Sequence, residues 1–158
     1  MVLEDKMKKV FLIIISVLCI FCLTGCGKKK VSVEEFLSVT GKYGYIPSDV
    51  TSEAQKSNPK IVQSISLVSN NGIEIQFHVL EDMNSTLNKY TVTQRNVESY
   101  RIEGYLFSTD ATTNYESYAL NTKDNYYYVS RVDETLLYIK GNYKDKDEIV
   151  KFIEEIGY

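Results

Sequence analysis

The chain has 158 residues, with 18 Lys plus Arg against 21 Asp plus Glu, unevenly distributed. Residues 31–158 hold 12 of those cations and 19 of the anions, a formal charge of −7, which excludes a broad nucleic-acid surface because that needs clustered positive charge. The same span is long enough for one domain with its own core, holds all 13 tyrosines and no tryptophan, and shows neither an internal repeat nor a low-complexity stretch.

Residues 10–23, VFLIIISVLCIFCL, form an apolar run preceded by Lys6, Lys8 and Lys9. A basic start, a short apolar segment and small residues make the pattern of a secretory signal. The run falls short of the roughly 20 residues of a spanning helix. An uncleaved anchor or plain secretion would use the same run, but the residues that follow are more specific. Leu23-Thr24-Gly25-Cys26 resembles the lipobox of bacterial lipoproteins, in which a leucine and two small residues precede the cysteine that is acylated. The resemblance covers the leader alone. It implies a signal peptide over residues 1–25, cleavage before Cys26, and several acyl chains on that residue. Two or more chains anchor stably where one holds only marginally. Glu4 and Asp5 are foreign to such a leader, and Met7 would give a cleaner start.

The resemblance also settles how the cysteines are read. Cys19 and Cys22 lie inside the leader, so their CIFC spacing is no redox pair or metal knuckle, and Cys26 alone remains after processing. Residues 26–30 then make a short tether. Its Lys28, Lys29 and Lys30 either approach anionic headgroups, at about 1 kcal/mol each near the surface, or serve as a soluble spacer.

Residues 31–158 read as a single domain. Ser32 and Glu35 have the spacing of a capping box, and Val33, Phe36, Leu37 and Thr40 follow as the inward stripe of a helix that ends at Gly41 or Gly44. IPSDVTSEAQKSNPK reads as an irregular connection with at most a short helical turn. IVQSISLVS and IEIQFHVL are paired strands around Asn71-Gly72, a hairpin signal; Gln63 interrupts the alternation of the first. EDMNSTLNKYTVTQRNVESY is a second helix, capped by Asp82 or Asn84, with Leu87, Tyr90, Thr91, Gln94, Val97 and Tyr100 at roughly helical spacing. YESYAL, NYYYVSRV and TLLYIK are three further strands, and DKDEIVKFIEEIGY is a closing amphipathic helix. The order α-β-β-α-β-β-β-α with short turns predicts a two-layer α+β sandwich, a mostly antiparallel sheet with helices packed on one face.

His78 is the one histidine and hence the first candidate acid or base. It shares its side of the strand with Glu74 and Gln76, which predicts a solvent-facing residue. No HExxH, histidine cluster or paired-cysteine pattern calls for a metal, no phosphate loop is present, and no cofactor is expected. The acidic DKDE, Asp145–Glu148, suits a helix start better than a calcium loop.

In NYYYVSRV, Tyr126 and Tyr128 share a face. With Tyr138 of the neighbouring strand they would form a surface for a peptide or a sugar if that face is open, although aromatic residues equally stabilise ordinary cross-strand pairs. The expected role is a noncatalytic, extracytoplasmic lipoprotein on the bacterial cell membrane. It would meet membrane lipid through Cys26, an envelope protein as accessory or binding partner, and no nucleic acid. A cell-wall or carbohydrate-binding module and a small envelope enzyme are the alternatives.

Overall fold

Ser32 opens the first helix, α1 (Val33–Lys42), in the computed structural model, which describes residues 27–158. The Ser32 hydroxyl accepts the Glu35 N–H at 3.1 Å, and the Glu35 carboxylate accepts the Ser32 N–H at 2.9 Å, so two otherwise unpaired donors of the first turn are satisfied. Phe36, Val39 and Thr40 are the buried stripe, while Leu37 is turned out. Gly44, at φ +68°, follows the helix and supplies the left-handed residue that helix ends favour.

The segment expected to be irregular holds two short elements, β1 (Ser48–Asp49) and α2 (Thr51–Ser57). Neither buries a side chain of its own. They are held by side chain to backbone bonds: the Asp49 carboxylate accepts the Thr51 N–H, Thr51 Oγ1 accepts the Ser64 N–H, and Gln55 donates to the Ile61 carbonyl. Such local bonds leave no periodic apolar signature.

Then come β2 (Ile61–Val68), β3 (Glu74–Leu80), α3 (Met83–Glu98), β4 (Leu106–Ala111), β5 (Tyr115–Asn121), β6 (Asn125–Val132), β7 (Thr135–Asn142), a 3-10 turn and α4 (Lys146–Ile156). The strands form one antiparallel sheet in the order β1-β2-β3-β7-β6-β5-β4. Gly72 at φ +83° makes the expected β2–β3 turn. A bulge between Ile61 and Gln63 sets Ile61 opposite Leu80 and Gln63 opposite Val79, which is the physical origin of the broken alternation in this strand.

The chain is thus α+β, with a mostly antiparallel open sheet. Helices α1 and α4 form a layer on one face, where Phe36 stacks on Phe77 at 4.6 Å and meets Phe152 edge-on at 6.3 Å. Gly141 lets α4 come close, since a Cβ there would lie 2.6 Å from Ile149 Cδ1. The opposite face is not left wet. Leaving β3, the chain crosses it as α3 to reach the far edge at β4. Tyr90 and Val97 of α3 join Ile61, Leu80, Leu120, Val129 and Leu136 in a second buried cluster there.

Candidate functional site

His78 sits on this second face, and there the expectation of a solvent-facing residue fails. Its parity with Glu74 and Gln76 holds, but α3 lies over it and leaves it 5% exposed. Nδ1 is 2.9 Å from Ser64 Oγ on the paired strand, and Nε2 is buried without a partner among the described residues. Burial, helped by the Lys89 ammonium, pulls the imidazole pKa down to about 4, so the ring is neutral at physiological pH. Ser64 and His78 are within reach of one another as a nucleophile and base would be. Ser64 is, however, 0% exposed, and among the described residues no carboxylate accepts from the ring, so the hydroxyl lacks access to a substrate and the imidazole lacks an orienting acid.

The three tyrosines do not form one surface. Tyr126 and Tyr128 are 4% and 7% exposed and lie in the core under α4. Burial raises both phenol pKa values, that of Tyr126 to about 12, and the Tyr128 hydroxyl is 3.4 Å from that of Tyr115. Tyr138 is opposite Val129 and therefore belongs to the other face, against the second cluster. The condition on which a tyrosine platform depended, an open face, is not met.

Cys26 lies outside the described residues. The residues after it are docked rather than loose. Asn114 donates to the Lys28 carbonyl at 2.7 Å, the Lys28 ammonium lies 4.4 Å above the Tyr115 ring, and Lys30 pairs with Glu134 at 2.8 Å. Lys29 reaches Glu35 at 2.5 Å. The Lys30 ammonium holds the Glu134 carboxyl below its usual range. Asn114 and Glu134 stand at the β4–β5 and β6–β7 turns, so the stretch that follows Cys26 is fixed to one end of the sheet.

An exposed group at the opposite end of β4 had no counterpart in the sequence reading. Tyr100, Ile102, Leu106 and Phe107 are each more than half exposed. Tyr100 stacks on Tyr127 at 5.2 Å, and the Arg101 guanidinium lies 4.4 Å over Phe107 while bonding Glu98 at 2.8 Å. Glu98 also accepts from the Tyr118 hydroxyl. The patch is therefore preset by its own contacts.

Among the described residues no group of three His, Cys, Asp or Glu could hold a metal, and no helix is long and apolar enough to cross a membrane. No family model matches the chain, and no curated protein matches it. The crystal structure of a GTP binding regulator from Thermotoga maritima is similar at a TM-score of 0.46 and 10% identity, over 80% of this chain and 84% of that one. Likeness of that degree carries no functional meaning for this chain.

Proposed function

We propose that the chain is an extracytoplasmic lipoprotein, acylated at Cys26 and held at the bacterial cell membrane, and that it acts by binding an envelope protein rather than by catalysis. LTGC after a basic, apolar leader motivates the anchor. The observation that carries the reading is the docking of Lys28 and Lys30 onto Asn114 and Glu134. It leaves almost no slack between Cys26 and the domain, so a lipid there would hold one end of the sheet close to the bilayer.

The far end of β4 then points away, about 17 Å along the strand. That is where Tyr100, Arg101, Ile102, Leu106 and Phe107 are presented. Aromatic side chains and arginine are the residues enriched in protein interfaces. A sugar-binding role loses its support with the burial of Tyr126 and Tyr128.

The test uses cells fed an alkyne fatty acid and expressing the tagged full chain with a photocrosslinking residue at Phe107 or, as control, at Ser38. The native chain should carry the label, fractionate with membranes and crosslink from position 107 to one discrete protein. Cys26→Ala should lose both label and crosslink. Label retained in that variant, or equal crosslinks from both positions, would overturn the reading.

A further inference from the structure

Between α2 and the first half of α3 the second face of the sheet turns polar. Ser64 and Ser66 of β2, Gln76 and His78 of β3 and Lys89 of α3 line a cleft of about 440 Å³, and Val50, Ala54 and Ile61 make its aliphatic wall. That size falls within the range of small-ligand pockets, ~300–1,000 Å³. Lys89 lies on the helical stripe of Thr86, Tyr90 and Thr93, which turns toward the sheet and where an apolar residue is the rule.

Hydrogen-bond accounting fixes what the cleft offers. Among the described residues the Ser64 hydroxyl has one hydrogen-bond partner, His78 Nδ1 at 2.9 Å. A neutral imidazole has one donor and one acceptor nitrogen, so with Ser64 donating to Nδ1 the proton is on Nε2. That N–H is buried and makes no hydrogen bond, the kind of exception that calls for a partner.

Lys89 is the second unmet donor. It is half-buried, burial lowers its pKa, and no carboxylate pairs with it among the described residues. Elsewhere on this face the buried Arg131 has Glu116 at 2.7 Å. Glu53, the one acid lining the cleft, is already taken by Lys56 at 2.5 Å. The cleft therefore has a positive charge and an N–H donor, both without an acceptor. Neither an arginine fork nor a glycine-rich run of amides lines it, so the several oxygens of a phosphate would go unmatched.

We propose that this cleft binds a small carboxylate with a short aliphatic tail, the anion held between His78 Nε2–H and the Lys89 ammonium and the tail against Val50, Ala54 and Ile61. The site is separate from the tether and from the Tyr100–Phe107 patch, and it stands whether or not Cys26 is acylated.

Because the chain has one histidine, 15N-histidine labelling of the full chain in detergent micelles gives a single imidazole to follow by NMR at neutral pH. Butyrate is the probe, with butanol supplying the tail without the charge and inorganic phosphate the charge without the tail. Butyrate should shift the Nε2 signal saturably while the two controls do not. Lys89→Met should weaken butyrate at least about tenfold, and Lys89→Arg should keep most of the affinity, each with an otherwise native spectrum. Absence of a saturable shift, an equal response to butanol or phosphate, or unchanged affinity in Lys89→Met would each overturn the proposal.

Discussion

On the first face of the sheet, α1 and α4 set Phe36 against Phe77 and Phe152 in a stacked and edge-on aromatic group. On the second face, Lys89 of α3 shares a polar cleft with Ser64 and His78, while Tyr90 and Val97 reach apolar neighbours. The first face is closed by two helices that are adjacent in space and far apart in sequence, the second by the short α2 over β2 and by α3, which must also carry the chain across the sheet. A crossing helix has its path set by the two strands that it joins, and part of what it covers here is polar. The difference teaches where stability is stored and where an unfilled site can be tolerated.

The largest way to break this comparison is to hollow out the first face. Phe77→Ala removes a side chain that is 0% exposed and stacked on Phe36, and it should cost about 3–5 kcal/mol in urea unfolding. A loss below ~1 kcal/mol would mean that the aromatic group is not the principal store of stability.

The second face is sharpened by acid. His78 titrates at about 4 when folded against an ordinary 6.5. The nearby charges are Lys89 on α3 and, at the cleft, Glu53 and Lys56 on α2. With the folded pKa depressed, the unfolded chain takes up the proton first. The stabilisation is therefore whole above about pH 6.5 and is lost as pH falls toward 4, about 3 kcal/mol in all. Urea midpoints from pH 7 to pH 4 should fall more steeply for the native chain than for His78→Gln, and parallel curves would show that the imidazole is not buried. The smallest effect belongs to the entry of α1, where Ser32→Ala should cost about 1 kcal/mol, read as a lower urea midpoint at pH 7.

The parts of the fold that were legible in sequence were those with a local chemical cause. The Ser32–Glu35 box, Asn71-Gly72, the Asp82 cap and the amphipathic closing helix each state their element within a few residues, and each stands where expected. Strand β4 was missed because its six residues are exposed on both sides and so leave no alternation to read. The side on which His78 lies was legible from parity, but parity names a face and not what covers it. The separation of Tyr138 from Tyr126 and Tyr128 was within reach and overlooked: a two-residue turn at Asp133-Glu134 pairs Val132 with Thr135, and counting back puts Tyr138 opposite Val129. The open donors on His78 and Lys89 depend on α2 over β2 meeting α3 over β3, a non-local fact that no window of sequence contains.

The order of the strands also has a consequence for how the molecule comes to be. The last strand in the chain, β7, is the middle one of the sheet, between β3 and β6. A growing chain emerges from its first residue onward, so the β2–β3 hairpin must wait with an open edge until Thr135–Asn142 has been made. Pairings between strands so distant in sequence slow folding, and open edges during the wait invite association with other chains. A chain that ends before Thr135 does not merely lose a margin of its sheet. It is left with two separate halves.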